Sequence, residues 1–241
     1  MTEAEWLACT DPQKMLLLLL EKGRVSDRKV RLFLVASCYR IWDLLSHEHS
    51  RQAVLTVERY ADQLVSSDEL ASAGRHAITA CAELEQAMWR VTDEGFQLFD
   101  GPSPGTEEEI DAAIQNETLA TKLAHASLLP TVAAESDPAL TGHLPLLDYA
   151  DESVLGDWAC SLRDIFANPF GSVTLDSCWL TPQAVVLAQA IYDDRAFDRL
   201  PILADALEEA GCTDADTLAH CRGPGPHVRG CWVVDLLLAK S

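Results

Sequence analysis

The stretch DRKVRLFLVASCYRIWDLL, Asp27 to Leu45, decides the fold class. Its apolar residues Val30, Phe33, Leu34, Cys38, Ile41, Trp42 and Leu45 recur at three, four, seven and eight positions. That spacing gives a helix with a broad buried stripe, and nothing in it alternates as a half-buried strand does. Ser26 or Asp27 opens the helix. Upstream, Asp11-Pro12 supplies a cap and a pre-set first position for a helix that Gly23 ends. Thr2 and Glu5 read as a capping box for a short first helix.

The same signals continue downstream. Ser46 is the expected cap of a helix carrying Ala53, Val54, Val57, Tyr60, Ala61 and Leu64. Ser66 with Glu69 forms another capping box, opening a helix to about Val91. Two breaks, Gly95–Gly105 and Pro130–Pro145, frame a helix from Thr106 to about Ala126. From Asp148 onward a helix carries Val154, Leu155, Trp158, Leu162, Ile165 and Phe166 until Asn168-Pro169. Thr181-Pro182 opens a helix through Tyr192, and Pro201 opens one that Gly211 closes. Thr213 with Asp216 starts a short helix ending near Cys221. Gly223-Pro224-Gly225-Pro226 is a stiff linker, and a last helix runs from Pro226 to about Ala239. Only Val173-Thr174-Leu175 leans towards a strand.

The expectation is therefore an all-α protein of about ten helices, an irregular bundle or stacked hairpins. It divides into an N-terminal bundle (1–100), a connector with one helix (101–149) and a C-terminal helical domain (150–241).

Composition excludes several classes. The 241 residues hold 18 Lys plus Arg against 38 Asp plus Glu, a net charge of −20, and 48% are apolar. That apolar fraction is too high for a disordered acidic tail. The charge opposes nucleic-acid binding, which needs a basic face. The longest apolar run, Met15–Leu20, is far short of a membrane span of about 20 residues. The acidic opening Met1–Asp11 does not read as a signal peptide, so a cytoplasmic location with reduced thiols is expected.

Three of the eight cysteines fall in the last 30 residues. Cys212, His220, Cys221, His227 and Cys231 offer a Cys/His set from which zinc could draw four ligands. His227 and Cys231 are four apart at the expected start of a helix and would share a face. The spacing matches no standard finger or ribbon, and free cysteines also pack as small core residues. Apart from zinc at this set, no cofactor is expected.

Lys22, Arg24, Arg28, Lys29 and Arg31 form the main basic cluster, at a helix start. It could contact an acidic partner, an anion or this chain's own acidic residues. The Gly-Pro linker is no phosphate loop, because two of its four residues lack an N–H. Asp193, Asp194, Asp198, Asp214 and Asp216 read as caps and surface acids.

The segments TEAEWLACTDP (2–12) and SDRKVRLF (26–33) resemble the start of a bacterial family of unknown function, present in many copies per genome. LRDIF (162–166), LPILADALE (200–208) and HCRGPGPHVRGCW (220–232) resemble its second half and ending. The resemblance implies no activity. The sequence thus points to a helical scaffold that recognises an unidentified protein partner. A zinc-stabilised module using the C-terminal Cys/His set is an alternative, and an enzyme with a site between the two halves is a further one.

Overall fold

A computed structural model describes residues 1–40, 42–45, 47–95, 152–171 and 174–240. These residues are helical and contain no strand. Among them are ten α-helices: α1 (Glu3–Ala8), α2 (Pro12–Glu21), α3 (Asp27–Arg40), α4 (Glu48–Ala61), α5 (Ser67–Gly95), α6 (Glu152–Phe166), α7 (Pro182–Asp194), α8 (Leu200–Glu209), α9 (Ala215–Arg222) and α10 (Trp232–Leu237). Three short 3-10 turns, Trp42–Leu44, Ser177–Trp179 and Phe197–Arg199, lie between them.

The local signals explain most helix starts. Thr2 Oγ1 accepts from Glu5 N–H, and Glu5 returns a bond of 2.7 Å to Thr2 N–H. Ser66 and Glu69 do the same at 3.2 and 2.9 Å. Each reciprocal pair satisfies two N–H groups that a helix start leaves open. Asp11 and Thr181 cap α2 and α7, each followed by Pro at the first helical position.

Four boundaries differ from the sequence reading. His47 caps α4, its Nδ1 accepting from His49 N–H at 3.2 Å. Asp214, one residue past Thr213, caps α9 by accepting from Thr217 N–H at 2.8 Å, and its charge suits the helix start. The helix of Asp27–Leu45 stops at Arg40 and tightens into a 3-10 turn, where Trp42 stacks on Tyr39 at 5.0 Å. The last helix begins at Trp232, not at Pro226. Gly225 (φ +76°) and Gly230 (φ +97°) hold the preceding segment out of helical geometry. Ser46 and the connector 101–149, with its expected helix, lie outside the described residues.

The chain forms two compact units, Met1–Ala36 with Asp151–Ser241, and Ser37–Ala150. This division cuts across the expected bundle 1–100, because α2 packs on α6. In the second unit α4 packs on α5. In the first, Trp6, Met15, Leu19, Trp158, Leu162 and Ile165 are fully buried. Its C-terminal part has a continuous core that includes Ile191, Tyr192, Leu203, Leu207, Val233 and Val234. That core packs α7 on α8, α8 on α9 and α10 on α7.

One ion pair ties α3 to this core. Arg28 donates to both carboxylate oxygens of Asp235, at 2.6 and 3.2 Å, and to Tyr192 Oη at 2.8 Å. The side chains are only 12% and 3% exposed, so neither charge has water as a substitute partner. Removing one member of such a pair leaves the other buried and uncompensated. Asp235→Ala should lose about 3–5 kcal/mol in urea unfolding. The double variant Arg28→Met/Asp235→Leu should recover most of that loss.

Candidate metal centre

Four donor side chains meet in the first unit: Asp164, His220, His227 and Cys231, with their ligand atoms all within 4.8 Å of one another. They come from four places. Asp164 sits on α6 beside the fully buried Ile165, His220 in the last turn of α9, and His227 in the segment after Gly225-Pro226. Cys231 is the N-cap residue of α10 and is fully buried.

Asp164 is the hub. Its Oδ1 lies 2.7 Å from His227 Nδ1 and 3.1 Å from His220 Nε2. Its Oδ2 accepts from Val228 N–H at 2.8 Å. His220 Nε2 is also 3.2 Å from Cys231 Sγ. The two imidazole rings meet edge-on, with centroids 4.8 Å apart. The other nitrogen of His227, Nε2, is buried and has no hydrogen-bond partner among the described residues.

The electrostatics follow from burial. Burial alone would raise the Asp164 carboxyl, but hydrogen bonds and charge from His220 and His227 outweigh it and hold the group below its ordinary value. The Cys231 thiol is pushed well above its ordinary value, by burial first and by Asp164 next. Burial also lifts Cys221 to about 12.

Of the five residues expected as ligands, His220, His227 and Cys231 converge and Cys212 and Cys221 do not take part. Those two belong to the apolar core with Leu203 and Leu207, as small hydrophobic residues. Nor do His227 and Cys231 share a helical face. They meet because the chain turns between them at Gly230, which is buried with φ +97°. Asp164 was not anticipated. Its signal is an acid within the otherwise apolar face of Trp158, Leu162, Ile165 and Phe166.

The basic cluster is not one open patch. Arg28 is used by Asp235, and Arg31 is only 6% exposed with Asp27 Oδ2 3.7 Å from its guanidinium. Lys22 lies 4.1 Å above the Phe170 ring. Arg24 donates to Gly171 C=O at 3.5 Å, and Lys29 is half-buried with the Phe166 ring 5.8 Å away. Arg24 and Lys29 line a cavity of about 530 Å³ that also reaches His220. A smaller one, about 230 Å³, reaches His227 and Cys221.

No protein-family model, curated protein or solved structure matches the chain. No described helix is long and apolar enough to cross a membrane. The functional reading therefore rests on the geometry of this donor cluster.

A Cβ added to Gly230 would stand 2.9 Å from Leu32 Cδ1, on a backbone that side chains rarely adopt. Gly230→Ala should lose about 1–3 kcal/mol in urea unfolding, from strain and overpacking together.

Proposed function

We propose that the chain is a metal-stabilised helical module in which Asp164, His220, His227 and Cys231 hold a zinc-class ion. One observation carries this reading: His220 Nε2 faces both Asp164 Oδ1 at 3.1 Å and Cys231 Sγ at 3.2 Å. A thiol–imidazole–carboxylate relay needs one ring nitrogen for the thiol and the other for the carboxylate. Here one nitrogen serves both, which is how donors stand around a common centre.

The donor set and spacing support zinc. A thiolate, two imidazoles and a carboxylate form a borderline set that suits zinc better than calcium or magnesium, which take oxygen ligands. Zinc–ligand bonds of about 2.0–2.3 Å put neighbouring tetrahedral donors about 3.3–3.8 Å apart. The three contacts of 2.7–3.2 Å would expand, and the wider pairs, which reach up to 4.8 Å, would close towards that spacing. Four protein donors make a closed site, which favours a structural role over a catalytic one. The ion would fasten the 223–231 segment and the start of α10 to α6. Three of the four donors lie in the phrase His220–Trp232 that carries the family resemblance, so chains sharing it would hold the same ion.

The interaction scaffold is a second reading. Val186 on α7 and Ile202 on α8 are 68% and 58% exposed, on two helices that pack together. A metal clamp and a recognition face are compatible in one module.

Full-length protein purified without added metal should carry about one zinc per chain by elemental analysis. Cobalt substitution should give a thiolate-to-metal absorption band that Cys231→Ala removes and Cys212→Ala keeps. Zinc at a thousandfold over its Kd should add about 4 kcal/mol of stability, and His227→Ala should abolish that gain. Protein that retains no zinc and gives no cobalt–thiolate band sinks the proposal.

A further inference from the structure

We infer that the cavity of about 530 Å³ beside His220 binds a small organic anion, a phosphate or carboxylate carried on a flat apolar body. The volume lies within the range of small-molecule sites, about 300–1,000 Å³.

Charge is the first ground. Acids outnumber bases 38 to 18 in this chain, so an unpaired base is unexpected. Yet Arg24, Lys29 and Arg163 line this one cavity, and none makes a close ion pair with a carboxylate among the described residues. Arg163 donates to the carbonyls of Trp6 and Cys9, which leaves its charge uncancelled. Lys29 is half-buried, with its ammonium 5.8 Å from the Phe166 ring and within the field of the Asp235 carboxylate. Burial holds that ammonium below the ordinary lysine range, which an anion beside it would reverse. Arg24 is exposed and offers the forked donor that suits phosphate and carboxylate.

The acids on the same wall offset these charges only in part, Asp235 raising Lys29 against its burial. Asp235 is held by Arg28, Glu3 accepts from the Asn168 amide at 2.5 Å, and Asp216 is exposed.

The second ground is independent of charge. Trp6 lines the cavity and is fully buried, and its indole N–H has no acceptor among the described residues. A buried donor without a partner is costly unless something supplies an acceptor. Trp232 and Leu236, both half-buried on α10, give the cavity an apolar wall. Donors on one side and rings on the other suit an anion with an apolar body.

His220 lines the cavity, but none of the anion contacts comes from the donor cluster, so the anion site stands or falls apart from the zinc reading. The test is calorimetric titration of the full, chelator-treated chain at low salt with phenyl phosphate, benzoate and inorganic phosphate. At least one aromatic anion should bind, more tightly than inorganic phosphate. Tighter phenyl phosphate assigns a phosphate ester and tighter benzoate a carboxylate. Lys29→Met and Arg24→Ser should each weaken binding about tenfold, the loss of one charge-assisted contact. Arg24 is exposed, so its variant should keep the wild-type Tm. The inference is overturned by absence of heat with all three anions, or by unchanged affinity in both variants. Equal affinity for inorganic and phenyl phosphate, or binding that requires zinc, overturns it too.

Discussion

A buried carboxylate must be given donors or be protonated, and Asp164 is given three. His220, His227 and the Val228 backbone N–H all converge on it. The demand of one charge out of water thus fixes the end of α9, the segment before α10 and their distance from α6. Cys231 reaches the same point because it follows directly on Gly230, which has no side chain to hold the turn away from Leu32. The donor cluster is the outcome of these constraints. Its members are already held together by hydrogen bonds.

A second constraint is the scarcity of bases. Several of them are spent on contacts within the structure. Arg28 neutralises Asp235, and Arg163 holds the carbonyls at the end of α1. Tyr192 gathers cations: Arg28 donates to its hydroxyl, while Arg229 and Lys240 lie over its ring at 4.7 and 4.3 Å. These contacts tie elements far apart in sequence.

The helices were legible in the sequence because their signals are local. Thr2 with Glu5, Asp11-Pro12, Ser66 with Glu69 and Thr181-Pro182 each act within one turn. The site was legible only in part. His220, His227 and Cys231 stand out as residue types close in sequence, whereas Cys212 and Cys221 look the same and are core. Nothing local separates the cysteine that joins the donor cluster from those that only pack. Asp164 lies 56 positions before His220 and is one acid among many, so only folding reveals its partners. The basic cluster was visible as a run of residues, but its partners Asp235, Gly171 and Phe170 were not, for the same reason. Pro226 can open a helix and so reads as the start of the last one, whereas the positive φ of Gly230, which delays the helix to Trp232, is a property of the packed turn.

The interleaving of the two units bears on how the protein is made. Met1–Ala36 shares a compact unit with Asp151–Ser241, so 114 residues of the other unit, Ser37–Ala150, lie between its two parts. On the ribosome, α1, α2 and the first turns of α3 emerge long before the helices that cover them. Trp6, Met15 and Leu19 must stay exposed to solvent or to a chaperone until α6 has left the exit tunnel. Arg28 waits longer still, because Asp235 follows it by 207 positions. The intervening unit is free to fold first, and the unit carrying the donor cluster closes only after α10 has emerged.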